Sequence, residues 1–260
     1  MNRITSLKNP TVQLWREWVN VRKQREKDGV FPAEGEHMVQ EALSCSCVKT
    51  LIVSEDDADR YAKCIEAANP NDVFIVSGHI LSSLNSTKSP QGIMAFCHRR
   101  IHRPFLPHPG LFVALNAVQD PGNVGTILRT MDAAGFEALY IDDQCADPYS
   151  AKTIRATMGS IFRIPIIQSH DLVSDLKAMK DRGCQLIAGD LSGEDLFSRT
   201  PIPEQACILI GNEGRGLSED LKVLANMRVR IPMPGSAESL NAAVSAGILI
   251  YDLLRERMKG

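Results

Sequence analysis

The feature that most constrains this chain is a series of short, nearly continuous apolar runs, each leading through a turn toward a helix start. Leu111 to Leu115, Ala138 to Ile141, Gln185 to Ala188 and Cys207 to Ile210 lack the polar alternation of a half-exposed strand. Such runs mark a parallel sheet covered on both faces. Ile161 to Pro165 and Val229 to Ile231 bring the expected strands of the second half to six. Helical patterns separate them: Asn123 to about Ala134, Ser150 to Thr157, His170 to Asp181, Ser218 to Leu224 and Ser239 to Met258. Strands alternating with helices predict an α/β fold with a doubly wound parallel sheet.

The first half alternates on a smaller scale. Asn9-Pro10 reads as N-cap and first turn of a helix whose apolar face is Leu14, Trp15, Trp18 and Val19, ending before Gly29. Strands are expected at Val30 to Ala33, Leu51 to Val53, Val73 to Val76 and Gly92 to Phe96, and helices at Glu36 to Leu43, Asp57 to Ala68 and Ile80 to Leu84. From Cys97 to Gly110 the chain turns rich in proline, histidine and arginine without periodicity, which reads as a semi-stiff linker. The expected organisation is a small α/β domain over 1–97, a linker over 98–110 and a larger domain over 111–260.

Composition narrows the class. At 260 residues and 44% hydrophobic, the chain can bury substantial cores, and no apolar run reaches the length of a membrane span. The Met1-Asn2-Arg3-Ile4 start lacks the apolar region of a signal peptide. Seven cysteines, an odd number without CxxC pairs, argue against a disulfide framework and for a reducing cytoplasm. Cys45 and Cys47 have no complementary pair, and His98, His102 and His108 fit no ligand spacing, so no metal is expected. Net charge is −2, yet Arg22, Lys23, Arg25 and Lys27 cluster in one stretch and Arg99, Arg100 and Arg103 in another. Each cluster is either a solvated face or part of a nucleic-acid surface.

The turns after three strands hold the chemistry. They are Asp120 to Thr130, Ile210 to Ser218 and Arg230 to Asn241, and they would meet at the carboxyl edge of the sheet, where open α/β folds bind ligands. The first lacks G-x-G-x-x-G, and the second lacks the Lys-Ser/Thr of a phosphate loop while carrying Glu213, which would repel phosphate. A ligand with a cationic or neutral head fits better. Asn123, Arg129, Glu213, Ser239 and Asn241 each have a bland reading, Ser239 as an N-cap for instance. Their concentration at three strand ends points to a reaction site, because an arginine on a helix packed against an apolar sheet must find partners or reach a cleft edge.

These runs resemble the three motifs of the SpoU (TrmH-type) RNA ribose 2′-O-methyltransferases of the SPOUT superfamily. The likeness lies in N-x-G-x-I-x-R-T over Asn123 to Thr130, G-N-E-G-x-G over Gly211 to Gly216, and I-P-M-x-G followed by S-L-N over Ile231 to Asn241. It covers about 111–258. Residues 4–96 resemble, more loosely, the ribosomal-protein-like substrate-binding domain that many members carry. The resemblance implies a C-terminal trefoil knot, S-adenosylmethionine held at Gly189, Gly211, Ile231, Met233 and Leu240, and a homodimer built on the last helix. The apolar face of that helix (Leu240, Ala243, Val244, Gly247, Ile248, Tyr251) suits such a partner, and equally suits its own sheet. Asn123, Arg129, Glu213, Ser239 and Asn241 become the catalytic set, and Arg22, Lys23, Arg25 and Lys27 candidate RNA contacts. Ribosomal RNA is favoured as substrate over transfer RNA. A non-catalytic RNA-binding or ribosome-assembly protein is the rival class, against which the intact polar set argues.

Overall fold

The computed structural model describes residues 1–85, 90–100, 110–201 and 205–258. Most of the expected linker, with His102, Arg103 and His108, lies outside the described residues. Two compact units form, one from Met1–Arg100 with Asp147–Phe162, the other from Ile101–Ala146 with Arg163–Gly260.

In the first unit, strands β1 (Asn2–Ile4), β2 (Val30–Glu34), β3 (Val48–Ser54), β4 (Val73–Val76) and β5 (Ile93–His98) form a sheet of order β1-β4-β3-β5-β2. β4 runs parallel to β1 and β3, and β5 antiparallel to β3 and β2. Its helices include α1 (Pro10–Asn20), α2 (Arg22–Asp28), α3 (Glu36–Ser44), α4 (Ala62–Ala67) and α5 (Gly78–Leu84). Asn9 caps α1 by accepting from the Thr11 amide at 2.8 Å. Trp15 and Trp18 bury edge-on against Phe74 and Phe96, as their three-residue spacing predicts. Leu14 and Val19 are only partly buried beside this core, and Val12 takes a fully buried place instead.

The expected first helix is in fact two. It breaks at Val21, which is extended, and α2 ends on Gly29 in the left-handed region at φ +62°. The break places Arg25 beneath the end of α1, where its guanidinium donates to the carbonyls of Trp18 (3.0 Å) and Val19 (2.8 Å). Those carbonyls have no partner within the helix, so a buried cation serves as their cap. The helix expected over 57–68 is shorter too, a 3-10 turn at Glu55–Asp57 followed by α4. β1 carries a single buried side chain, Ile4, too little pattern to be seen in sequence.

Residues 147–162 fold with this unit. Their helix α7 (Ala151–Thr157) packs on β2, the strand at the sheet edge. Tyr149 and Phe162 lie against Phe31, and the carboxylate of Asp147 meets Arg25 at 2.5 Å. Ile161 and Phe162 sit in a 3-10 turn rather than the expected strand; Gly159 at φ +95° turns the chain inward there.

The second unit is α/β with a fully parallel sheet. Strands β6 (Leu111–Leu115), β7 (Ala138–Asp142), β8 (Ile166–Ser169), β9 (Gln185–Asp195), β10 (Ala206–Ile210) and β11 (Met227–Arg230) take the order β11-β9-β10-β6-β7-β8. β8 begins just after Pro165, which has no N–H for the ladder but accepts from the Leu139 amide at 2.9 Å. Phe112, Ala114, Tyr140, Leu186 and Leu209 bury one face under α8 (Leu172–Lys180) and α9 (Glu219–Leu224). The alternate residues, Val113, Leu115 and Ile208 among them, are buried as well, and α10 (Ala242–Arg257) packs on β10 and on α6 (Pro121–Ala133). β11 pairs with Ile187 and Ala188 and then with Glu194 and Asp195, so residues 189–193 of β9 bulge out of the ladder just past Ala188, where its pairing with β10 ends at the sheet's carboxyl edge.

Candidate active site

Every motif loop of the second unit opens at that carboxyl edge. α6 starts two residues earlier than its pattern suggested. Asp120 is its N-cap, accepting from the amides of Gly122 (2.6 Å) and Asn123 (3.1 Å), and Pro121 takes the first position, where a missing N–H costs nothing. α10 starts three residues later than expected, because Asn241, not Ser239, is its cap. Asn241 Oδ1 accepts from the amides of Ala243 (2.9 Å) and Val244 (3.3 Å), leaving Ser239 exposed on the preceding loop.

These caps point their remaining polar atoms at one another. Asn241 Nδ2 donates to Asn123 Oδ1 at 2.9 Å, and Asn123 Nδ2 donates to Glu213 Oε1 at 3.0 Å. Glu213 also faces the amides of Asp120 (3.3 Å) and Gln119 (3.4 Å). One chain of hydrogen bonds therefore joins three loops, spanning 118 residues between Asn123 and Asn241. Partial burial works to raise the pKa of Glu213, but the hydrogen bonds from Asn123 and the two amides prevail and hold it below its ordinary value.

Beside this chain lies a cleft of about 420 Å³. Gly189, Gly211, Ile231, Met233 and Leu240 all line it, as do Glu213 and Ser239. Leu217 and Leu249 add apolar wall, and Asp190, Glu213 and Glu238 add carboxylates. The floor is backbone: a Cβ on Gly211 would come within 2.1 Å of the Gly216 carbonyl carbon, so no side chain fits there. Asn123, Arg129 and Asn241 do not line the cleft itself. Arg129 stands exposed two turns into α6, with no hydrogen bond or ion pair among the described residues.

Two residues outside the expected set belong to this architecture. Asn212 Oδ1 accepts from the amides of Gly214 (3.0 Å) and Arg215 (3.1 Å), and its Nδ2 donates to the Ala117 carbonyl at 2.8 Å. Asp190 lines the cleft with its pKa lowered; burial opposes the shift, while Ser192 and Lys222 outweigh it. Asn212 stood inside the second motif and could have been read as a turn-forming side chain. Asp190 had no sequence signal beyond following a strand.

The basic stretch of the first unit does not act as one surface. Lys23 and Lys27 are exposed and Arg22 is half-buried, pairing with Glu26 at 2.8 Å. Arg25 is buried at 4% exposure and committed to Asp147, so it does not face an RNA. Among the described residues no cluster of His, Cys, Asp and Glu could hold a metal ion, and no helix is long and apolar enough to cross a membrane.

A parallel α/β sheet with a glycine-floored cleft at its carboxyl edge defines a small-molecule-binding enzyme fold. Comparison with known proteins resolves it further. Residues 110–251 match the SpoU rRNA Methylase family, and residues 9–95 match the MRM3-like substrate binding domain. The chain belongs to the SpoU rRNA methylase family. It is 36% identical to the 23S rRNA (guanosine(2553)-2'-O)-methyltransferase RlmP of Bacillus subtilis, over 97% of this chain and 99% of that one. The crystal structure of an AdoMet-bound rRNA methyltransferase from Sinorhizobium meliloti superposes with a TM-score of 0.86 at 33% identity, covering 98% of this chain and 97% of the other. By contrast, the TrmH/SpoU tRNA modifying enzyme of A. aeolicus covers 58% of this chain and 77% of its own, at 30% identity and a TM-score of 0.52.

Proposed function

We propose that this protein methylates a ribose 2′-oxygen of ribosomal RNA, using S-adenosylmethionine, and that 23S rRNA is the molecule it acts on. The observation that carries the reading is the cleft on its backbone floor, joined to the Asn123–Glu213–Asn241 chain of hydrogen bonds. Its donor set suits the cofactor: apolar walls for a nucleoside and carboxylates for the two cationic centres, while of the two basic residues in the lining, Arg215 and Lys222, the latter is paired with Asp190 and Glu219. Gly189, Gly211, Ile231, Met233 and Leu240 would hold it. When bound, it supplies an electrophilic methyl group on a sulfonium.

With the methyl group already activated, the residues have to align the 2′-oxygen and ease loss of its proton. Arg129 is exposed and unengaged, so it is available to a substrate phosphate and to the negative charge that develops on the ribose oxygen. A guanidinium with a pKa above ~12 does not serve as a free base. Glu213 is held ionised by its hydrogen bonds and, with Asn123, Ser239 and Asn241, orients the ribose. Ribosomal RNA is preferred because the 23S relative matches along nearly the whole chain, whereas the transfer-RNA relative matches little more than half. Lys23 and Lys27, with Arg22, would contribute backbone contacts from the first unit.

The same reading carries the domain division 1–97, 98–110 and 111–260, with residues 147–162 grouped with the first unit and not the last, a trefoil knot in the C-terminal segment, and a homodimer. Val244 and Tyr251, each about half exposed and seven residues apart on α10, support a second copy packing there. Seven free cysteines support a reducing cytoplasm.

Methyl transfer tests the proposal. Purified protein and labelled S-adenosylmethionine, offered unmodified ribosomal RNA and transfer RNA in parallel, should place label in a nuclease-resistant dinucleotide from ribosomal RNA. Label in transfer RNA alone keeps the chemistry and overturns the substrate; absence of cofactor binding overturns the enzyme. Full activity in either Arg129→Lys or Arg129→Ala removes Arg129 from its role.

A further inference from the structure

Four residues before α6 the chain adopts a conformation that L-amino acids disfavour. Ala117 has φ +56°, one of three non-glycine residues in the left-handed region among those described. It sits two residues ahead of Gln119, which with Asp120 turns its amide to Glu213. Something must hold it there. Asp142, the last residue of β7, accepts from the Ala117 amide at 3.0 Å and from Asn116 Nδ2 at 2.7 Å. The same carboxylate accepts from the amides of Gln144 (3.0 Å) and Cys145 (3.1 Å), so four donors converge on it.

The effect reaches the second motif loop by two routes. Asn116 Oδ1 accepts from the Ser218 amide at 2.9 Å, just past the glycine-rich turn. The Ala117 carbonyl accepts from Asn212 Nδ2, and Asn212 in turn orders Gly214 and Arg215. Asp142 lines no part of the cleft; its hydrogen bonds hold the segment that leads into α6, and through Asn116 and Ala117 that segment is bonded to the second loop that builds the Glu213 site.

We propose that Asp142 is a positioning residue for cofactor binding and methyl transfer, acting by holding Ala117 in its left-handed turn. The assignment rests on the cleft being the S-adenosylmethionine site. A carboxylate is required because it only accepts, whereas the amide group of asparagine would set two N–H donors among donors already present. Ala117 is held in place by hydrogen bonds rather than by its own preference, so strain and support can be separated experimentally.

The experiment measures S-adenosylmethionine affinity by calorimetry, and steady-state KM for cofactor and for ribosomal RNA, on wild type, Asp142→Asn and Asp142→Asn with Ala117→Gly. Asp142→Asn should weaken cofactor affinity about tenfold and raise the cofactor KM, with the RNA KM unchanged. Ala117→Gly in that background should recover most of the affinity, because glycine takes positive φ without help. A purely structural aspartate would lower thermal stability with cofactor affinity of the folded protein intact; that result, or no recovery by glycine, overturns the assignment. Should Asp142→Asn fail to fold, Asn116→Ala decides. It keeps the carboxylate and its bond to the Ala117 amide but cuts the Asn116 link between Asp142 and Ser218, and roughly threefold weaker binding is expected; unchanged binding overturns the assignment. A wild-type protein that binds no S-adenosylmethionine removes the methyltransferase reading and this inference together, whereas wild-type binding matched by an unaffected variant removes the inference alone.

Discussion

Each unit fastens distant parts of its sequence together through a charged side chain, and the two do so in opposite ways. In the first unit Arg25 and Asp147, 122 residues apart, are sealed: their side chains are 5% and 14% exposed, and the guanidinium spends its other bonds on α1 carbonyls. In the second unit Glu213 stays exposed, and its partners Gln119, Asp120 and Asn123 surround a carboxylate that still reaches a cleft. A sealed pair can do nothing but specify one fold, since no ligand reaches it. An open, over-supplied carboxylate holds loops in place and remains available to a bound molecule. Charge alone does not mark function; residual access does.

The largest expected effect is at the sealed pair. Arg25→Leu leaves the Asp147 carboxylate buried without its partner, which should cost about 3–5 kcal/mol in chemical denaturation. Adding Asp147→Leu should return much of that loss, because an apolar pair of similar volume carries no uncompensated charge. If the single variant is as stable as wild type, the contrast between the two regions collapses. Next comes Gly211→Ala in the cleft. Its new methyl would overlap the Gly216 and Leu217 backbone, so strain of about 1–3 kcal/mol is expected together with loss of measurable S-adenosylmethionine binding by calorimetry.

The same contrast explains what could be read from the sequence. The six apolar runs announced a parallel sheet, and five of the six expected strands of the second unit lie where the pattern put them. The sixth failed because Ile161 and Phe162 are apolar for a different reason, burial in a 3-10 turn against β2, which period alone cannot separate from a strand. The motif residues were legible because polar side chains at strand ends in an apolar context have few structural uses. Arg25 was misread as a surface cation because its neighbours Arg22, Lys23 and Lys27 are cations on a helix end, and only the break at Val21 turns it inward. Asp142 was silent for the opposite reason: one aspartate at the end of a strand has no spacing partner, and its role exists only through four donors assembled by folding.

Glu213→Gln sharpens the open side of the comparison. Replacing the carboxylate removes hydrogen bonds to a charged acceptor, worth about 1.5–3 kcal/mol, so at neutral pH the melting temperature should fall by several degrees and kcat/KM on the order of tenfold or more. The pH dependence has a definite sign. The folded carboxyl lies below its ordinary value of 4.5, so its stabilising contribution is complete above that value and disappears as pH falls through the folded pKa. Thermal unfolding of wild type and Glu213→Gln should therefore converge as the pH falls below 4.5 and through the folded pKa. A gap that widens instead would mean the carboxylate is strained rather than supported.

The smallest expected effect belongs to Lys23 and Lys27, which are exposed on the helix that hides Arg25. Neither has burial to lose, so Lys23→Ala and Lys27→Ala should each change stability by less than about 0.5 kcal/mol. If they touch RNA phosphates, affinity for ribosomal RNA falls and the slope of log affinity against log salt drops by about one per residue. Catalytic turnover at saturating RNA stays the same, since neither side chain belongs to the unit that holds the cleft. An unchanged salt slope would make the whole basic stretch structural, Arg25 as a buried cap and its neighbours as a solvated face, and would move the RNA-binding surface elsewhere on the first unit.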